Sequence, residues 1–135
     1  MNRLLPLAAA TVAVLSPLCA QTQMNLITGA AGSTAYINGS SEHRMAVAMN
    51  GNLYAVLKLG SPFAIMKSTD QGTTWTRVAT DTTGGNPSGT AIVADPGCDL
   101  LHVGFHARVG GNREAPHYRV FDTKTDTWVG PATLV

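Results

Sequence analysis

A chain of 135 residues with 44% hydrophobic and 13% charged side chains has the make-up of one ordinary globular domain, which excludes disorder as the default. Its nine lysines and arginines and eight acids are scattered rather than clustered, so no basic stripe exists to grip a phosphate backbone or an anionic membrane. Nucleic acid is therefore not an expected partner. The first residues differ from the rest. Arg3 gives a basic start, Leu4 to Leu18 run without a charge, and Leu18-Cys19-Ala20 ends on a small residue. Residues 1–20 read as a secretory signal peptide, which predicts a secreted or periplasmic protein. This apolar run is interrupted by Pro6 and Pro17 and is shorter than the roughly 20 residues of a spanning helix. No later segment is long and apolar enough, so no membrane span is expected. Bulky Leu18 directly before Cys19 fits a lipoprotein peptidase poorly, and cleavage after Ala20 is preferred to acylation of Cys19.

Residues 21–43 form a leading segment rich in Gly, Ser, Thr and Asn. From Arg44 onward, short apolar runs alternate with turn residues at intervals of roughly ten, the pattern of an all-β sandwich, barrel or propeller. Strands are predicted at about Met45 to Met49, Leu53 to Leu59, Phe63 to Ser68 and Trp75 to Ala79, joined by turns at Asn50-Gly51-Asn52 and Gly60-Ser61-Pro62. A loop from Asp81 to Ser88 follows. A second set is predicted at Thr90 to Ala94, Leu100 to Ala107, Tyr118 to Phe121 and Trp128 to Leu134, with Arg108 to Pro116 (RVGGNREAP) as an inserted polar loop. The two sets, within residues 44–80 and 89–135, align on their last hairpins with a period of 53 residues from Trp75 to Trp128, a spacing typical of propeller blades.

Residues 68–75 read STDQGTTW, which resembles the SxDxGxTW Asp-box of sialidases and related propellers at every defining position. The local physics fits: Gly72 can take the positive φ of a tight hairpin, Ser68 and Asp70 oxygens can accept turn amides, and Trp75 can tuck its ring beneath the turn. The resemblance implies an all-β, incomplete β-propeller of about two four-stranded antiparallel blades. It also implies that the box joins the third and fourth strands of a blade, on the side away from any active site, as a structural element. Phe121 to Trp128 keeps the tryptophan without the glycine or the Ser/Asp pair. That degenerate copy also looks like the YDxxTxxW hairpin of kelch propellers. Propellers use about four to eight blades. The expectation is therefore the amino-terminal piece of a longer protein rather than a self-associating one, with Thr133-Leu134-Val135 ending in mid-strand.

The same resemblance implies a sialidase-like protein handling glycans, the start of an exo-sialidase, with Arg44 where the family carries a carboxylate-binding arginine in a YRIP or FRIP motif. A planar guanidinium pairs with both carboxylate oxygens at once. Against this, His43-Arg44-Met45-Ala46 lacks the Ile-Pro, and Ala55 to Ser61 lacks the family's second arginine and acid/base aspartate. The alternatives are a non-catalytic propeller binding a glycan or protein, and a structural surface-repeat protein. His102 and His106 share one strand face about 13 Å apart along the chain, too far for one zinc ion without a bend. Cys98, in a Pro96-Gly97-Cys98-Asp99 turn, reads as a partly covered loop thiol without an internal disulfide partner in the mature chain. Tyr36, Tyr54 and Tyr118 read as packing residues. No Gly-rich phosphate loop follows a strand, and neither GxSxG nor HExxH occurs, so no cofactor or metal is expected.

Overall fold

The computed structural model describes residues 43–58, 62–83, 88–111 and 113–135. The signal peptide expected at 1–20 with Cys19, the leading segment up to residue 42 with Tyr36, residue 59 at the end of the second expected strand, residues 60 and 61 of the turn after it, residues 84–87 of the central loop and residue 112 of the expected inserted loop lie outside these. The described chain is all-β. Strands β1 (Met45–Val47), β2 (Leu53–Lys58), β3 (Phe63–Ser68) and β4 (Thr76–Asp81) form one antiparallel sheet in the order β1-β2-β3-β4. Strands β5 (Ser88–Ala94), β6 (Leu100–Gly110), β7 (Arg113–Asp122) and β8 (Thr127–Leu134) form a second, in the order β5-β6-β7-β8. Both are simple meanders, and neither closes on itself. Among the described residues no helix is long and apolar enough to cross a membrane.

Side-chain alternation decides how the sheets meet. In β2 and β3 nearly every position is buried, so both faces of the first sheet are covered. Tyr54, Val56, Phe63 and Ile65 face the second sheet, while Ala55, Leu57, Ala64 and Met66 cluster on the opposite face under Trp75. In β6 only one face is buried: Leu101, Val103, Phe105 and Ala107 point into the joint core, and His102 and His106 point away. Ile92 and Phe121 complete that core, and Trp128 packs edge-on against Phe63 and Phe121. Each large apolar side chain buried there contributes about 1.5–3 kcal/mol.

The first strands of the two sheets lie side by side and run in the same sense. Just before β1 the His43 carbonyl accepts the Ile92 N–H, from the second half of β5, at 2.7 Å, and beyond both strands Met49 and the Gly97–Leu100 turn line one pocket. Two polar clamps flank the apolar core. Asp126 accepts the Tyr54 hydroxyl at 2.9 Å and the Lys67 ammonium at 2.7 Å. Asp81, its side chain fully buried, accepts Arg119 at 2.5 Å, and the Trp128 indole N–H donates to the Thr80 carbonyl at 3.0 Å.

The inserted loop expected at Arg108 to Pro116 is instead a continuation of the β6–β7 hairpin. The ladder runs on through the partners His106↔Pro116, Ala107↔Ala115 and Arg108↔Glu114 and turns only around Gly111. The opposite charges of Arg108 and Glu114, directly across the ladder, favour strand extension. The first strand stops at Val47, short of Met49, because the Ala48 N–H donates to the Asn52 carbonyl and the Gly51 N–H to the Ala48 carbonyl, which starts the turn early. The last strand is irregular at its middle: Gly130 has φ 70° and the β7–β8 register shifts between Tyr118 and Val120.

Candidate functional site

The β3–β4 turn gathers Ser68, Asp70, Gly72 and Trp75 into one closed unit. The Ser68 hydroxyl oxygen accepts the Gly72 N–H at 2.8 Å, and the hydroxyl donates to Asp70 Oδ1 at 2.8 Å. Asp70 also accepts the Thr74 N–H at 2.8 Å and the Thr74 hydroxyl at 2.6 Å. These hydrogen bonds, Thr74's first, pull the Asp70 carboxyl down to about 2. Gln71 and Gly72 both have positive φ, 58° and 91°. The Trp75 ring lies under the glycine, 3.8 Å from where a Cβ would stand, with its indole N–H on the Gly72 carbonyl at 3.0 Å. The turn is a self-contained hairpin cap whose carboxylate is already occupied.

The second hairpin is built differently. Asp122 accepts the N–H groups of Lys124 and Thr125, and Asp126 supplies the positive φ of 53°. Trp75 precedes its strand, whereas Trp128 lies within β8 as the partner of Phe121. The two tryptophans that align in sequence sit on the same side of their respective sheets: Trp75 covers the first sheet's face away from the second, and Trp128 lies on the second sheet's face toward the first, in the joint core.

Arg44 stands one residue before β1, half-buried, with its carbonyl accepting the Val56 N–H at 2.9 Å. Because a meander reverses at every turn, β1 runs toward the Asp70 turn, and its start stands level with Val56 and Ile65 at the middle of the sheet. The neighbouring strand, Ala55 to Lys58, carries neither an arginine nor an acid. Arg119 is engaged at the sheet interface with Asp81, with the Gly130 carbonyl at 2.9 Å, and over the Trp128 ring at 4.6 Å.

An apolar concavity lies elsewhere, where β1 borders the outer face of the second sheet. It is a cleft of about 680 Å³ walled by Met45, Val47, Ala91 and Val93, with His102 and Tyr118 on one side. Alternation along β6 and β7 places both of these side chains outward. Gly104, the cross-strand partner of Tyr118, has no side chain to fill the space. The Tyr118 hydroxyl hydrogen-bonds His102 Nδ1, and the two rings stack with centroids 5.8 Å apart. His102 Nε2 lies 3.3 Å from Asp95 Oδ2. Asp95 in turn accepts the Gly97 N–H at 2.7 Å, and that bond, with those from His102 and Cys98, holds its carboxyl below the usual range. Partial burial and the Asp95 carboxylate push the Cys98 thiol up, away from thiolate chemistry.

The packing role expected of Tyr54 fits its burial, but Tyr118 is a hydrogen-bonded residue on an open face. The strand pattern held a signal for this, since His102 and Tyr118 come together once β6 and β7 are read as one long hairpin. His106 is exposed, and among the described residues no group of three or more potential ligands could hold a metal ion. No known protein family, curated protein or solved structure matches the chain.

Proposed function

We propose that this chain is a sialidase-like Asp-box repeat protein of the extracytoplasmic space, two neighbouring blades of a β-propeller that handles acidic glycans. The observation that carries the proposal is the Ser68–Asp70–Gly72–Trp75 cap at a third-to-fourth strand turn. It belongs to a four-stranded meander docked face to face on a second. The same-sense alignment of β1 and β5 supports it, because the first strands of successive blades line a propeller's central channel in this manner. Arg44, just before β1 at mid-sheet, is the ligand assigned to a sugar carboxylate.

The absence of an arginine or acid from Ala55 to Lys58 favours a second reading, a non-catalytic propeller that binds a glycan or protein. Hydrolysis of a fluorogenic sialoside by the secreted protein, beside its Arg44→Ala variant, separates the two. Turnover lost on substitution supports the hydrolase with Arg44 as carboxylate ligand. No turnover by either folded protein, with a sialylated glycan array bound in an Arg44-dependent way, supports the binder. Failure of both measurements removes the glycan reading.

A further inference from the structure

We propose that the β6–β7 hairpin is an arm that binds a polyanionic glycan, a polysaccharide with carboxylate or sulfate groups recurring along its chain, through Arg108 and Arg113. The inference rests on the acidic-glycan reading and deepens it: the ligand is a chain of many acids rather than one acidic sugar.

Strand length sets the arm apart. β6 and β7 have 11 and 10 residues, against 6 in each of β2 and β3, whose ladder ends at the pair Lys58↔Phe63. Phe63 packs on Phe105 with ring centroids 4.8 Å apart, so the end of the first ladder stands level with Phe105. The second ladder continues five residues further, to the pair Gly110↔Arg113, roughly 16 Å at about 3.3 Å per residue. β5 leaves it sooner, at Ser88↔His106. A next blade of the first sheet's height would cover the outer face of the second sheet and still leave this ribbon clear.

Its place and charge point to the ligand. Asp126, in the β7–β8 turn, holds Lys67 beside the Asp70 cap, so β7 begins at the opposite end of the sheets, the end that the sialidase-like reading gives to ligands. Among the described residues this end carries Lys58, Arg108 and Arg113 against Glu114, while Asp81 is neutralised by Arg119. The cap end carries Asp70, Asp99, Asp122 and Asp126 with Lys67 and Lys124. Arg108 and Arg113 are exposed, and among the described residues neither guanidinium has an ion-pair or hydrogen-bond partner. Their planar forks suit the paired oxygens of a carboxylate or a sulfate. Arg108 shares a face with Glu114, across the ladder from it, and Arg113 lies on the other face, so a chain draped over the tip meets both. They are a pair at one tip rather than the stripe that a nucleic-acid backbone needs. Ile92, bonded to the His43 carbonyl, pairs with Val103, so Arg44 stands near the level of Val103 and Gly110 seven residues above it, roughly 23 Å. One sugar does not span that distance, whereas a polymer does.

The test is retention of the full chain on immobilised heparin, which is sulfated, and on polygalacturonate, which is carboxylated, with neutral dextran as the blank. One or both acidic polymers should hold the native chain and release it as salt screens the charges, and the choice between them tells sulfate from carboxylate. Arg108→Ala and Arg113→Ala should each weaken binding about 2- to 5-fold and the double substitution about 10-fold. Arg77→Ala, at an exposed arginine of β4, should change nothing. Unchanged urea midpoints show that the variants fold. Binding that survives the double substitution overturns the arm and leaves the acidic-glycan reading standing on Arg44. Equal capture of a DNA oligonucleotide through the same two arginines overturns the glycan assignment in favour of attraction to any polyanion. Equal capture on dextran, or no retention of the folded native chain on either acidic polymer, also overturns the arm, and the sialylated array then decides separately whether the glycan reading survives.

Discussion

Asp81 and Arg119 join β4 of the first sheet to β7 of the second through a 2.5 Å ion pair whose carboxylate is fully buried. Burial raises the Asp81 carboxyl, but hydrogen bonds from Thr83 and the Arg119 guanidinium outweigh it, and the group titrates below the usual range. Removing the arginine leaves a buried charge without its partner. Breaking a fully buried pair costs about 3–5 kcal/mol; because Arg119 is partly exposed, Arg119→Ala is expected to cost about 2–3 kcal/mol. Urea unfolding checks this, and the added Asp81→Asn substitution should restore part of the loss.

Gly72 has φ 91°, and a Cβ there would meet only ordinary contacts, the nearest being Leu53 at 3.6 Å. The cost of Gly72→Ala is therefore conformational rather than steric, about 1–2 kcal/mol. Thermal unfolding should show a lowered midpoint. Asn at the same position, which tolerates positive φ better, should lose less.

The Tyr54 hydroxyl is the deepest polar atom of the other clamp, and its removal leaves Asp126 still held by Lys67. Tyr54→Phe is expected to cost about 0.5–1.5 kcal/mol, the range of one net hydrogen bond. Tyr54→Ala, which also empties a core site, should cost about 3–5 kcal/mol. Chemical denaturation of the two variants side by side tests the difference.

Acid should weaken the fold through Asp70 and Asp81. Both carboxyls titrate lower in the folded chain than the ordinary 3.8, Asp70 at about 2, so the unfolded chain binds their protons first. The stability they contribute is complete above 3.8 and is lost as pH falls toward about 2. A urea midpoint followed against pH should decline across this window, and Asp70→Asn should flatten the decline.

The alternation of Leu101, Val103 and Phe105 with His102 and His106, and the spacing of turn residues, made the strands and their buried faces legible in the sequence. The chemistry of the Ser68–Trp75 turn was legible too, because it is local. What escaped depends on register and long-range pairing. Trp75 precedes its strand and Trp128 lies inside one opposite Phe121, a difference set by strand pairing and not by spacing. Arg119 and Asp81 lie 38 positions apart, and nothing local marks them as partners. Gly110-Gly111-Asn112 and Pro116 masked the long β6–β7 hairpin, and with it the meeting of Tyr118 and His102.

The irregular β8 bears on how the molecule behaves among its own copies. It is an outer strand, and an unbroken row of free amide and carbonyl groups along it would invite another chain to add itself to the sheet. Pro131 has no N–H to offer, and the twist at Gly130 turns the neighbouring groups out of line. That margin of the second sheet is a poor template for fibre growth, and a concentrated solution of the protein is guarded against one route to aggregation by a single bent strand.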